Sequence, residues 1–236
     1  MMNLHKLWPL LIWSGLTVAL YWFSQLLHRR GRVWWLAPAI TAPLLLVALA
    51  LAFHVSYHQY IGGAGWLITL FAPATVAFAV PIYEERRLIR RYWPLLVLGA
   101  VAGSITAIAS SWVLARWLGL DENLRLSLLP RSISTPFALP VSGKIGGTPS
   151  LTAVFVLITG IFGAAIGESL LAWLPLRSVV ARGALFGMGA HAFGTAKAHQ
   201  ISQEIGAVAG LVMVFVGLLN VLAAPLLAWV SAGGSH

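Results

Sequence analysis

Two polar stretches interrupt an otherwise apolar sequence, and both carry side chains that could bind a small anion. They span residues 127–147 and 187–207 and combine cations, hydroxyls, glycines and prolines. A bilayer core makes unsatisfied polar groups and irregular backbone costly, so such residues between apolar segments are expected to have a function. The residues that we select as candidates for substrate binding are Arg131, Ser134, Thr135, His191, Gly194 and Thr195.

Thr135 and Thr195 each stand beside a residue type that breaks helices, Pro136 in the first stretch and Gly194 in the second. A helix interrupted there would expose backbone N–H groups with partial positive charge, and a neighbouring hydroxyl would complete a site of carboxylate size. The alternative is that each hydroxyl only bonds the carbonyl of the preceding helical turn. The pattern predicts structural breaks at Pro136 and Gly194, and a further one at Pro73, between residues 72 and 75.

His191 lies in the middle of a predicted span and could bond a substrate, couple transport to a proton, or be satisfied by packing between helices. Arg131 and Lys197 could neutralise a substrate carboxylate, or could extend along a helix to the membrane interface. Glu168, near the end of a smooth span, could pair with an arginine of a neighbouring loop. Asn220 is isolated in the last apolar segment and is expected to join helices rather than bind a ligand.

The composition requires that lipid, and not water, surrounds most of the chain. Hydrophobic residues make up 59% of the 236 residues and charged residues 9%, with a mean hydropathy of +0.87. Soluble domains carry about 25% charged residues. With about 20 residues for each span, the sequence predicts an all-α polytopic membrane protein with seven or eight hydrophobic segments, some of them interrupted helices that are discontinuous or re-entrant. We expect one integral membrane domain over residues 1–236, with N-terminal spans in 1–65 and a transporter-like core in 66–231.

The net charge of +9 does not indicate a nucleic-acid partner, because the charges do not lie on one face and most of the basic residues cluster in short loops between apolar segments. These loop arginines are Arg29, Arg30, Arg32, Arg86, Arg87, Arg90, Arg91, Arg177 and Arg182. Basic loops of this kind face the cytoplasm and anionic lipid. If residues 127–147 crossed the membrane, the last of these loops would fall on the outside. The charge pattern therefore favours a re-entrant course for residues 127–147.

The sequence contains no motif for a metal, a cofactor or a nucleotide. It has no cysteine, its histidines and acids lack the spacing of metal ligands, and no phosphate-binding loop is present. No nucleophile, base and acid occur in an arrangement that indicates an enzyme. We therefore expect neither a cofactor nor catalysis.

An internal repeat relates the two polar stretches. Residues 131–166 align without gaps on residues 191–226, a shift of 60 positions. The matching pairs of scarce residue types are Thr135 with Thr195, Ser142 with Ser202, and Gly146 with Gly206. The repeat predicts one interrupted helix followed by one continuous helix, twice over. Repeats that bring broken helices together indicate a transporter binding site.

Four motifs together resemble the LrgB/CidB family, in order, over about residues 66–227. They are APATVAFAVPIY (72–83), SLLPRSISTPFALPVSGKIGG (127–147), TAVFVLITGIFGAAIG (152–167) and GMGAHAFGTAKA (187–198). The positions that match the family's patterns are Pro73, Ala74, Thr75, Pro81, Pro130, Arg131, Ser132, Thr135, Pro136, His191, Gly194, Thr195 and Lys197. The sequence departs from the family at Gly143, where an acid is frequent, at Glu168, where proline is frequent, and at Ala72, where glycine is common.

The resemblance implies a multi-pass protein of the bacterial inner membrane, often paired with a small membrane protein of the LrgA/CidA type. The family has been described as a holin/antiholin-like system that affects murein hydrolase activity and cell lysis. It is also linked to transport of small carboxylates such as pyruvate, and of glycolate and glycerate in plastid relatives. A homo-oligomer is compatible with either activity.

Two hypotheses follow. The first is a secondary carrier for small monocarboxylates of the pyruvate, glycolate or glycerate class, with its site between the two broken helices. The alternative is a holin-like pore, or a regulator of murein hydrolase export and cell lysis. A pore is expected to consist of short, amphipathic, self-associating segments, which the repeat of broken helices does not resemble, so the sequence favours the carrier.

Overall fold

The computed structural model consists almost entirely of helices. The residues that it describes are 4–31, 36–70, 73, 76–77 and 79–233. No β-strand occurs among them, which confirms the predicted all-α class. Contacts between residues divide the chain into two compact units, Met1–Pro73 and Ala74–His236.

In the first unit, the described residues between 4 and 70 include three α-helices and a 3₁₀ turn. They are α1 Leu4–Gly31, α2 Pro38–Ala52, α3 Tyr57–Ala64 and a 3₁₀ turn, Gly65–Leu70. α1 packs against both α2 and α3. The hydroxyl of Ser14 on α1 donates to the Gly63 carbonyl (3.2 Å) and accepts from Trp66 Nε1 (2.7 Å), so one buried polar side chain joins α1 to the end of α3 and the turn.

The second unit contains the two polar stretches. Its elements are α4 Ala79–Glu84, α5 Arg86–Trp117, α6 Glu122–Leu128, a 3₁₀ turn Leu129–Ser132, α7 Thr135–Lys144, α8 Pro149–Trp173, α9 Val179–Gly189, α10 His191–Ile201 and α11 Gln203–Gly233. α11 packs against α5, α7, α9 and α10, and its buried residues, such as Val208, Leu211 and Val216, form the main core with Phe137 of α7. α11 is therefore the central helix of this unit.

Four helices among the described residues are long and apolar enough to cross a membrane. They are Trp8–Gly31, Arg86–Trp117, Pro149–Trp173 and Gln203–Trp229. Large apolar side chains are exposed on their outer faces, for example Trp117, Trp173 and Leu222, as a lipid environment requires. The structure thus supports a multi-pass membrane protein, whereas the seven or eight segments and the re-entrant course stay predictions. Breaks within the polar stretches divide them into helices shorter than a bilayer is thick.

The helix of the first polar stretch is broken ahead of Thr135. Pro130 in the 3₁₀ turn has non-helical backbone angles (φ −83°, ψ 16°), and Ile133 and Ser134 are extended before α7 begins. Pro136 therefore lies in the first turn of a helix, where its fixed φ is compatible with helix geometry and its missing N–H is not needed. The chain is non-helical before Thr135, on the N-terminal side of Pro136, whereas Pro136 itself lies within α7.

The helix of the second polar stretch is broken at Ala190 and His191. Ala190 has φ −141° and ψ 10°, and His191 has a positive φ of 42°. The predicted break at Gly194 is wrong, because Gly194 lies inside α10 and its N–H bonds the Ala190 carbonyl (2.9 Å). A Cβ on Gly194 would collide with the backbone of Phe186, so the glycine permits close packing of α10 on α9. Residues 72, 74 and 75, on either side of Pro73, lie outside the described residues. The break predicted at Pro73 therefore stays a prediction.

The two polar stretches have the same order of elements. In the first, α6, the 3₁₀ turn and α7 precede the long helix α8, and in the second, α9 and α10 precede the long helix α11. The shift of 60 positions places Ala190 and His191 on Pro130 and Arg131. The first break covers residues 130–134 and the second covers Ala190 and His191, so the two overlap in the repeat at the equivalent positions of Arg131 and His191.

A network of buried hydroxyls joins α6, α7 and α8. Thr152 Oγ1 donates to the Ser127 carbonyl (2.8 Å) and lies 2.6 Å from Ser142 Oγ, while Ser127 Oγ accepts from the Thr148 N–H (2.7 Å). Ser127, Ser142 and Thr152 are fully buried. Each polar group in this network has a partner, which fixes the helices that carry the first break.

We predict that Thr152→Val destabilises the protein by about 1 to 3 kcal/mol, because it leaves the buried Ser127 carbonyl and the Ser142 hydroxyl each short of a partner. The matched control is Thr106→Val, since the exposed Thr106 hydroxyl bonds only the carbonyl of Ala102 in its own helix. Thermal unfolding of both variants in detergent measures the difference. Equal midpoints would show that the network does not stabilise the fold.

Candidate functional site

Arg131 is held inside the second unit by hydroxyls from two long helices. It lies on the 3₁₀ turn after α6, and its Nε donates to Ser111 Oγ of α5 (2.9 Å). Its Nη1 lies 3.5 Å from Thr159 Oγ1 of α8, a weaker contact. The side chain is half-buried and makes these contacts within the unit, which differs from the predicted alternative of extension to the interface.

No carboxylate neutralises Arg131 in the described part of the chain. The one ion pair found there joins Lys197 Nζ of α10 to Glu168 Oε2 of α8 (2.9 Å), so Glu168 pairs with this lysine and not with a loop arginine as predicted. Ser111 and Thr159 are neutral and use only part of the hydrogen-bonding capacity of a guanidinium, which has five N–H donors. Arg131 is therefore a partly buried cation with free donors.

His191 lies at the second break and is almost completely buried, with 1% of its surface exposed. Its Nε2 has no hydrogen-bond partner among the described residues. The backbone and the guanidinium of Arg131 both act on its imidazole, so the structure brings the two equivalent positions of the repeat together. A left-handed backbone is uncommon for residues other than glycine, and such conformations often occur at functional sites.

Ser134 and Thr135 lie at the start of α7, on the C-terminal side of the first break. Ser134 is buried and its side chain makes no capping bond, while its carbonyl accepts from the N–H groups of Phe137 (2.9 Å) and Ala138 (3.0 Å). Pro136 has no N–H. The start of α7 therefore offers fewer free backbone donors than the sequence predicts for an anion site.

Thr195 does not occupy the position that Thr135 has. Its hydroxyl donates to the His191 carbonyl (2.9 Å) one turn earlier in α10, and it lies 3.9 Å from Met213 Sδ. Bonding to the preceding turn is the alternative that the sequence left open. Substrate binding by Thr135, Thr195 and Gly194 stays a prediction, and Arg131 with His191 forms the centre of the candidate site.

Sequence reasoning did not identify Ser111 and Thr159. Both lie within smooth apolar helices, where a single hydroxyl carries no local signal. The signal that could have identified Ser111 is its spacing, since it follows Ser104 by seven residues and lies on the same face of α5.

Asn220 joins helices, as the sequence predicts. Its Nδ2 on α11 donates to Ser104 Oγ on α5 (2.9 Å).

No group of three or more side chains that could hold a metal ion occurs among the described residues. The functional groups near the two breaks are a guanidinium, an imidazole and hydroxyls. This set can bind a small anion through charge and hydrogen bonds, and the imidazole can exchange a proton.

Comparison with known proteins assigns the family. The model of the LrgB-like family matches residues 17–230. YwbG of Bacillus subtilis is 37% identical over 212 residues, which cover 90% of this chain and 94% of YwbG. YxaC of the same organism is 36% identical over 214 residues, covering 91% of this chain and 93% of YxaC. The holin-like protein CidB of Staphylococcus aureus is 30% identical over 212 residues, covering 90% of this chain and 93% of CidB.

No solved structure matches the chain. The family model and these relatives each cover most of its length, including both polar stretches and the helices that hold Arg131. The protein therefore belongs to the LrgB-like family.

Proposed function

We propose that the protein is a secondary carrier that binds a small monocarboxylate at Arg131 and moves it across the membrane. Substrates would belong to the pyruvate, glycolate or glycerate class. The observation that carries the proposal is a half-buried guanidinium without a carboxylate partner in the described part of the chain. A partly buried charge without an ionic partner is unfavourable, and a bound carboxylate would reduce that penalty through two parallel hydrogen bonds.

His191 would be the second group to contact the substrate. Its buried Nε2 lacks a partner in the described residues, and Arg131 acts electrostatically on the same imidazole. A carboxylate on Arg131 would also accept a hydrogen bond from a protonated imidazole, so substrate and proton would favour each other's binding. This arrangement supports proton coupling through His191. Ser134 and Thr135 at the adjoining helix start, and Gly194 and Thr195 in the first turns of α10, would complete the lining.

A holin-like pore, or a regulator of murein hydrolase export and cell lysis, is the second candidate function. The observation that favours it is the similarity to the holin-like protein CidB of Staphylococcus aureus. The comparisons support this candidate more directly than they support carboxylate transport, whereas the geometry around Arg131 supports the carrier. The two differ in a measurable property, the selectivity of the passage.

For either function we propose a location in the bacterial inner membrane and no enzymatic activity. A small membrane protein of the LrgA/CidA type is a candidate partner, and the protein itself could assemble as a homo-oligomer. These proposals rest on the family and on the apolar helices.

We predict that Arg131→Gln lowers uptake of radiolabelled glycolate or pyruvate into proteoliposomes by roughly 30-fold or more, because a charged partner of the carboxylate is lost. Arg116→Gln is the matched control, since Arg116 is exposed near the end of α5. The thermal midpoint of Arg131→Gln should equal or exceed that of wild type, because an unneutralised charge is removed. Uptake at the wild-type rate would exclude Arg131 from the site.

We predict that His191→Asn retains exchange of carboxylate between the two sides of a vesicle but loses accumulation driven by an imposed pH gradient. Asparagine tolerates a positive φ, so the break should survive, while the group that exchanges a proton is removed. Uptake with and without the gradient measures the effect. Gradient-driven accumulation equal to that of wild type would rule out proton coupling through His191.

We predict that proteoliposomes loaded with carboxyfluorescein and glycolate release glycolate in a saturable manner and retain the dye. A carrier closes around one small substrate, whereas a pore passes larger solutes at rates that do not saturate. Empty liposomes serve as the control for leak. Release of the dye together with glycolate would instead establish the holin-like function.

A further inference from the structure

A small cavity, lined in part by polar side chains, lies in the core of the second unit beside the 3₁₀ turn. It has a volume of about 10 Å³, which is room for one water-sized sphere. Its polar lining comes from Ser104 of α5, Ser132 of the turn and Asn220 of α11, and the rest of the wall is mainly apolar. A polar cavity between apolar helices requires an occupant that satisfies its polar groups.

Asn220 is a buried polar residue in the lining of this cavity. The residue is 4% exposed, and its Nδ2 donates to Ser104 Oγ and to the Val216 carbonyl, both at 2.9 Å. A carbonyl can only accept, so the contact with Val216 fixes the orientation of the amide. Asn220 Oδ1 therefore has no hydrogen-bond partner among the described residues, although the side chain is buried.

Oxygen atoms dominate the polar wall of the cavity. The side chains contribute an amide oxygen and two hydroxyls, and the lining contains neither a nitrogen ligand of the imidazole type nor a carboxylate. Alkali and alkaline-earth cations prefer oxygen ligands, and without a carboxylate a monovalent ion is favoured over a divalent one. α6 ends at this turn, so the negative end of its dipole lies close by, and Pro130 interrupts the helical pattern there. Interrupted backbone of this kind coordinates Na⁺ in other carriers.

We propose that this cavity binds a monovalent cation of the size of Na⁺. The ion would accept oxygen ligands from Asn220 Oδ1, Ser104 Oγ and Ser132 Oγ, with backbone carbonyls of the turn completing its shell.

The cation site is placed to act on the anion site. Ser104 contacts the cavity and Ser111 holds Arg131, and both lie on one face of α5, seven residues or roughly 10 Å apart along the helix axis. A carboxylate bound at Arg131 would attract a cation at Asn220, and each ligand would raise the affinity for the other by the same factor. This role as a coupling ion rests on the proposed carboxylate carrier, whereas binding of the cation does not.

The test is thermal unfolding of the purified full-length protein in detergent, in NaCl and in choline chloride at equal ionic strength. We expect Na⁺ to raise the wild-type midpoint by roughly 2 to 4 °C at saturation. Ser104→Ala should lose most of that shift. Ser110→Ala is the matched control and should keep it, because the Ser110 hydroxyl bonds the Ala107 carbonyl and is not part of the lining. Asn220→Asp should enlarge the shift by adding a negative charge.

Equal wild-type midpoints in Na⁺ and choline would overturn the proposal and leave an ordered water as the occupant. An equal Na⁺ shift in Ser104→Ala and Ser110→Ala would also overturn it, since the ion would then bind elsewhere. Glycolate added to the same samples separates the two proposals. A Na⁺ shift without any glycolate effect would support the cation site while contradicting the carrier, and a glycolate shift without a Na⁺ effect would do the reverse.

Discussion

The central constraint in this protein is a guanidinium held among apolar helices without a carboxylate beside it in the described residues. Arg131 is positioned by hydroxyls of Ser111 and Thr159, which orient the charge but do not neutralise it. A membrane protein tolerates such a charge where function requires it, because the energetic penalty is large and a neutral residue would fit. The surrounding elements support this one side chain: the 3₁₀ turn carries it, α5 and α8 supply its two contacts, and α11 packs against α5 and α7.

The internal repeat explains how a second polar group reaches the same place. Arg131 and His191 are separated by 60 positions, each follows a residue with non-helical backbone angles, and each precedes a long apolar helix. Two repeats packed against one another bring their breaks together, which is how paired broken helices form binding sites in carriers. The ion pair between Glu168 of α8 and Lys197 of α10 also links the two repeats, at a more exposed position.

The sequence predicts the class of protein well because hydropathy reports the solvent directly. It also locates both polar stretches, since prolines, glycines and charges are costly between apolar segments.

The sequence does not identify the individual residues at which the helices break. Gly194 suggested a break because glycine is a poor helix former, but the missing Cβ is used for close packing on Phe186. The left-handed residue at the second break is His191, and histidine adopts that conformation too rarely for its type to locate the break. Ser111 and Thr159 become partners of Arg131 only through tertiary packing, which periodicity cannot reveal. The number of membrane-spanning helices could not be predicted from the sequence either, because a broken apolar segment and a continuous one have similar hydropathy.

The proposed carrier requires a carboxylate bound at Arg131, and the most direct measurement locates that anion in the protein. Crystals grown with 3-bromopropionate, a small monocarboxylate that carries an anomalous scatterer, would show the position of the bromine. We expect a bromine peak beside the first break, with the carboxylate within hydrogen-bond distance of Arg131 and facing His191. A well-ordered Arg131 without a bound anion, or a bromine peak only elsewhere on the protein, would contradict it.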